Sequence, residues 1–221
     1  MRRTGFSVPA FADYLIFAND HAPHERVGIC RSQPVLGKLQ AAAHKVFVIH
    51  KTKIRRNPIV MHTINIREIR QEDNHDVARV IRSVLEEHNV PKTGTAYADP
   101  ELDHMFETYG KPRHAYFVVE YDGDIVGGAG IAPLIDGGHE VCELQKMYFL
   151  LQVRGKGFGS LMMEKCLEVA RAFEFSTCYL ETMEYMEAAQ KLYRKSGFGY
   201  LDAPMGNTGH CACGVWMTKP L

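Results

Sequence analysis

The hexapeptide Arg154-Gly155-Lys156-Gly157-Phe158-Gly159 has the make-up of an anion site. Glycines let backbone amides converge on phosphate oxygens with no Cβ in the way. A helix starting there adds the positive end of its dipole, and Arg154 and Lys156 add net charge. The spacing is G-x-G-x-G. It is not the G-x-x-x-x-G-K-[ST] of a P-loop, nor a dinucleotide fingerprint with its acidic partner on a second strand. Taken alone, the loop also reads as a tight strand-to-helix turn with solvated cations.

Other reactive residue types make weaker patterns. His210-Cys211-Ala-Cys213 has C-x-C spacing with no second Cys/His cluster, so it lacks the paired geometry of a zinc site, and no metal is expected. Four of the six cysteines lie in apolar, element-like segments, which fits reduced thiols acting as small hydrophobes in a cytoplasmic protein. The basic run Lys51-Thr-Lys53-Ile-Arg55-Arg56 has the charge to touch nucleic acid or an anionic surface, but a solvated, poorly ordered extension accounts for it better.

The anion loop needs a strand before it and a helix after it, and the sequence from Met61 supplies both. Thr63–Ile69 alternates like a strand. Val77, Val80, Ile81, Val84 and Leu85 fall at i, i+3, i+4, i+7 and i+8, which predicts an amphipathic helix capped by Asp73 or Asn74. Asp99-Pro100 reads as an N-cap followed by Pro at N1 of a short helix carrying Leu102, Met105, Phe106 and Tyr109. Ala115–Tyr121 and Asp124–Leu134 flank the hairpin turn Asp122-Gly123. Gly127, Gly128 and Gly130 inside the return strand point to a bulge or to a close approach on the backbone. Val141–Leu150 is the strand leading into the loop. A helix near Ser160–Phe173, a strand at Cys178–Glu181, a helix at Met186–Lys195 and two closing strands follow.

The chain has 221 residues, 46% hydrophobic and 24% charged, with no net charge. These values are ordinary for a globular protein and exclude disorder throughout, a collagen and a coiled coil. No apolar run approaches the roughly 20 residues of a membrane-spanning helix. The neutrality hides a split. Residues 1–60 hold ten Lys/Arg against three Asp/Glu, a net +7, and residues 61–221 hold sixteen against twenty-three, a net −7. The first segment shows no period, and Arg2-Arg3 lacks the apolar core and cleavage site of an export signal. We therefore expect a basic, poorly ordered extension over 1–60, or a start assigned too early, and one domain over 61–221. The acidic balance of that domain disfavours nucleic acid and suits a cationic partner.

Three motifs together resemble the GNAT acyl-CoA N-acyltransferases. Arg154-Gly-Lys-Gly-Phe-Gly159 is similar to that family's Q/R-x-x-G-x-G/A pyrophosphate loop. Glu143-Leu-Gln-Lys-Met-Tyr-Phe149 resembles the strand directly before it. Ala189-Gln-Lys-Leu-Tyr193-Arg-Lys-Ser-Gly197-Phe198 resembles its A-x-x-x-Y-x-x-x-G-F helix. The resemblance covers about 155 residues and implies an α/β (α+β) fold. A mixed central sheet of about seven strands would carry flanking helices, with strands 4 and 5 splayed to hold CoA. It implies acetyl-CoA as co-substrate and a small-molecule or protein amine as acceptor, and it leaves room for a homodimer.

By the same resemblance, backbone groups of Met147, Tyr148 and Phe149 pair with the pantetheine arm, and the pyrophosphate sits on Arg154, Gly155, Lys156, Gly157, Phe158, Gly159 and Ser160. Glu143 is the implied base, working through water, and Tyr193 the implied acid. The plainer readings are a surface carboxylate at a strand start and a core tyrosine beside Leu192. His210 is either an acid or substrate contact, or a solvated loop histidine. Met186 replaces an Asn that many members use on the pantetheine arm, and Leu151 replaces a proline before the loop. A non-catalytic acyl-CoA-binding module of the same fold stands as the alternative to an enzyme.

Overall fold

The computed structural model describes residues 62–221. The expected extension over 1–60 lies outside the described residues.

The order is β1 (Ile64–Glu68), α1 (Asn74–Glu87), α2 (Met105–Tyr109), β2 (Ala115–Tyr121), β3 (Asp124–Pro133), β4 (Val141–Phe149), α3 (Phe158–Ala172), β5 (Thr177–Thr182), α4 (Glu187–Lys195), β6 (Gly199–Leu201) and β7 (Val215–Pro220). The strands form one seven-stranded sheet in the order β1-β2-β3-β4-β5-β7-β6. Only β4 and β5 run parallel, joined by the crossover through α3. The mixed sheet with flanking helices is the architecture expected. No helix among the described residues is long and apolar enough to cross a membrane.

Strand alternation sorts the core onto two faces. Phe117, Val119, Leu144 and Leu180 face α3, whose Phe158, Met162 and Cys166 fill the layer. Tyr116, Val118 and Ile125 point the other way, toward Val77, Val80, Ile81 and Leu85 of α1. All five periodic residues of α1 are buried, and each such burial contributes roughly 1.5–3 kcal/mol. The short helix expected after Asp99-Pro100 is a 3-10 turn over Pro100–Asp103 followed by α2. Of its apolar set, Leu102 on the turn and Met105 on α2 are buried at 0% exposure, but Phe106 is 40% exposed.

Two expected caps do other work. Asp73 precedes α1 without a side-chain capping bond. Its carboxylate instead accepts from both terminal nitrogens of Arg67, at 2.6 and 2.9 Å, and from the Arg70 amide at 2.7 Å. Asp99 makes no capping bond to the 3-10 turn that follows. Its partners belong to the site described below.

The β3 glycines answer to close approach. A Cβ at Gly128 would stand 2.8 Å from the Tyr116 hydroxyl, and one at Gly130 would stand 2.6 Å from the Tyr116 ring and 2.7 Å from that of Tyr109. Opposite them β4 bulges: Gly130 pairs with Gln145 and Gly128 with Tyr148, so Lys146 and Met147 of β4 together oppose Ala129 of β3. Lys146 sits in this bulge at φ 51°, a rare conformation for a residue with a Cβ.

Candidate active site

β4 and β5 are in register at Val141–Thr177, Cys142–Cys178 and Glu143–Tyr179, and pairing stops there. From Leu144 onward the edge of β4 facing β5 has no partner strand. The Leu150 amide donates to Val126 O on β3 at 2.8 Å, so Leu150 turns its backbone to β3 and its neighbour Phe149 turns toward the gap. The gap therefore offers main-chain groups that an extended ligand pairs with as a strand does.

The gap runs into the glycine loop. Gly155 and Gly157 adopt φ 74° and 90°, and a Cβ at either would meet nothing within 4 Å. Their side of the loop is open, and their backbone is one that L side chains resist. Gly157 is the N-cap of α3. Among the described residues, the amides of Gly155, Lys156, Gly157 and Phe158 donate to no main-chain carbonyl, while Ser160 and Leu161 close onto Gly157 O. Four free donors at the N-terminus of a 15-residue helix make an anion cradle. A pyrophosphate fits these donors.

The loop cations differ in availability. Arg154 is committed: its Nε donates to Phe149 O at 2.7 Å, and its terminal nitrogens fork onto Glu87 at 2.8 and 2.7 Å. It ties the end of β4 to the end of α1. Lys156 is exposed, its ammonium 5.4 Å from the centre of the Tyr121 ring.

Glu143, the last β4 residue paired to β5, is 5% exposed, which removes the surface-carboxylate reading. Its Oε2 accepts from Gln145 Nε2 at 2.7 Å, and the Tyr109 hydroxyl donates to Gln145 Oε1 at 2.7 Å. Burial pushes the Glu143 carboxyl above its usual range, against the pull of Gln145, His210 and Lys146. Tyr193 lies on the other side of the sheet, 7% exposed, its ring 6.2 Å from that of Phe198. Burial pushes its phenol up to about 12.

A further group gathers beside Glu143, and local sequence patterns missed most of it. Asp99, from the segment between α1 and α2, pairs with Lys146 of the β4 bulge and with His210 of the β6–β7 loop. Asp99 Oδ1 lies 3.2 Å from His210 Nε2. The Lys146 side chain is 8% exposed and that of Asp99 19%. Burial works to raise the Asp99 carboxyl, but the His210 bond and the Lys146 ammonium outweigh it and hold it below the usual range. The Asp99 bond in turn raises His210 above 6.5. The two loops also meet where the Ala212 amide donates to Gly94 O at 3.2 Å. On β5, Glu181 Oε1 accepts from the Tyr179 hydroxyl at 2.7 Å. The only sequence sign of this cluster was His210; Asp99 was read as a cap, and Lys146 carried no signal.

The sequence matches the Acetyltransferase (GNAT) family over residues 81–198. N-acetyltransferase YjgM of Escherichia coli (strain K12) is 45% identical over 157 residues, spanning 71% of this chain and 94% of YjgM. Among solved structures, a GNAT-family acetyltransferase from Staphylococcus aureus Mu50 superposes with a TM-score of 0.65 at 20% identity, covering 72% of this chain and 99% of that one. YncA of Salmonella typhimurium, solved with acetyl-CoA, gives 0.57 at 16% identity over 72% and 94%. These two likenesses bear on the fold.

Proposed function

This chain belongs to the GNAT acetyltransferase family, and from that premise we propose that it moves the acetyl group of acetyl-CoA to a primary amine by direct attack. One observation carries the reading. The β4–β5 gap, the free amides of residues 155–158 and the buried Glu143 lie along one continuous path of the fold. Acetyl-CoA supplies the thioester, an acyl group already activated toward amines. The backbone of Met147, Tyr148 and Phe149 holds the pantetheine arm. The loop from Arg154 to Ser160 holds the pyrophosphate through the free amides of residues 155–158, with Lys156 as the available cation.

Glu143 receives the ammonium proton, through water where the acceptor does not touch it. Burial supports this role, since a carboxylate becomes a useful base only as its pKa rises toward neutrality. Tyr193 donates to the departing sulfur. A phenol at about 12 is neutral at every working pH, so the donor is always present. Its pKa lies above that of a thiol, near 8.5. The role it fits is a hydrogen bond that steadies the sulfur as it leaves, with the proton following as charge builds.

The domain is acidic, with twenty-three Asp/Glu against sixteen Lys/Arg over residues 61–221. Glu181 stands near Glu143, and Asp99 is paired to Lys146. A small cationic amine suits that balance. The test is an amine panel followed by CoA release. Turnover with at least one amine is expected, and acetyl-CoA binding without turnover on any amine would favour a non-catalytic module. Free thiols at Cys142, Cys166 and Cys178 support a cytoplasmic setting.

We further propose that residues 61–221 form the catalytic domain and that 1–60 are dispensable to it. Both core layers are closed by described elements. A chain starting at Met61 should melt cooperatively and bind acetyl-CoA with unchanged affinity. Loss of folding on truncation would overturn this boundary.

A further inference from the structure

Acetylation of an alkylammonium yields an amide, a thiol and one proton, and that proton has to reach bulk water in every turnover. Glu143 is poorly placed to release it. The residue is 5% exposed, and the neighbour bonded to its carboxylate is Gln145, an amide that does not titrate. The next titratable groups around it are His210, Lys146 and Glu181. Lys146 is held by Asp99 and 8% exposed. Glu181 is half-buried, with its Oε1 holding the Tyr179 hydroxyl and its Oε2 buried without a hydrogen-bond partner among the described residues.

His210 differs from both. Its side chain is 18% exposed, so it touches solvent. Its Nε2 bonds Asp99, and Nδ1 has no partner among the described residues. A carboxylate on Nε2 fixes the proton there and leaves the lone pair on Nδ1, the division of labour of an aspartate-oriented imidazole base. The His210 backbone is pinned as well: its amide donates to Thr208 Oγ1 at 3.2 Å, and its carbonyl accepts from the Cys213 amide at 3.1 Å. The charged groups facing it are Asp99 from the α1–α2 segment and Lys146 and Glu143 from β4.

We propose that His210 is the proton exit of the acceptor site, with Asp99 as its positioning residue. The inference rests on the acetyltransferase reading above. The ammonium N–H bond breaks as an O–H bond forms on Glu143. Glu143 and His210 interact electrostatically without touching, so a water relays the next transfer. The Glu143 O–H breaks onto the water as the water passes a proton to Nδ1, giving an imidazolium paired to Asp99. The imidazolium returns to neutral by losing the Nδ1 proton to water. Asp99 stays ionised throughout, held so by Lys146.

The test uses the full chain and the best amine from the panel, once the wild type has shown turnover. A wild type that turns over no amine sinks the enzymatic reading itself, before any variant is made. In His210→Ala, kcat should fall about 10²-fold, with the acetyl-CoA-induced rise in Tm retained. Added imidazole should restore the rate in proportion to its free-base fraction and leave the wild type unchanged. The rising limb of the wild-type pH profile, set at or above 6.5 because the base form exists only above the His210 pKa, should vanish. His210→Gln preserves a donor toward Asp99 but has no titrating nitrogen. It should fold, lose the same activity and resist imidazole, because the side chain fills the space. An active His210→Gln would overturn the proposal, as would a His210→Ala whose loss is independent of pH and not rescued. Asp99 variants are the poorer probe, since they strand Lys146 as a buried, unpaired charge.

Discussion

Tyr193→Phe should lower kcat by roughly 10²–10⁴-fold, the range of a positioned acid or base, while Tm and acetyl-CoA affinity stay near wild type. The substitution deletes one oxygen and keeps the ring packed against Phe198, so the core layer loses no volume. The hydroxyl makes no hydrogen bond among the described residues, so its removal leaves no buried partner unsatisfied. Cofactor affinity should hold because the proposed contacts are main-chain groups of β4 and the glycine loop. Melting temperature, acetyl-CoA affinity and single-turnover rate on one preparation separate the outcomes. An unchanged rate with chemistry limiting would remove Tyr193 from the mechanism. A large fall in Tm would show a bonding role for its hydroxyl.

Gly157→Val should abolish most of the stabilisation that acetyl-CoA gives. Ligand at 100 times its Kd stabilises by about 2.7 kcal/mol, which in a domain of this size raises Tm by roughly 5–10 °C. Gly157 holds φ 90°, and no protein atom would lie within 4 Å of a Cβ there. Valine therefore meets no wall in the free protein. It pays instead for a left-handed backbone, roughly 1–2 kcal/mol, and covers the amides that face the anion. The free variant should melt a few degrees lower for the first reason, so the quantity to compare is the shift on adding acetyl-CoA. A shift equal to that of the wild type would place the pyrophosphate elsewhere.

The contrast between these two sites shows what was local. The α1 stripe from Val77 to Leu85 was legible because helical period and burial are one constraint seen twice. The glycine loop was legible because a positive φ excludes most residue types, so the conformation is written into composition at Gly155 and Gly157. The family motifs then gave Glu143 and Tyr193 as candidates. For Glu143 they left open a surface position that only its 5% exposure closed.

Other features depended on neighbours far away in the chain. Asp99 stands before a proline, where every local rule makes it a cap. Lys146, 47 positions on, and His210, 111 positions on, claim its carboxylate instead. Arg154 looked like a phosphate ligand by position, but Glu87 and the Phe149 carbonyl occupy all three of its guanidinium nitrogens. Lys146 takes φ 51° with no glycine to announce it, because the Tyr116 hydroxyl binds its carbonyl and Asp99 its ammonium. The chain's local preferences set periods, turns and the anion loop by themselves. Which charge meets which was decided only when the sheet brought three separate segments together, because a buried charge takes its partner from whatever lies beside it in space.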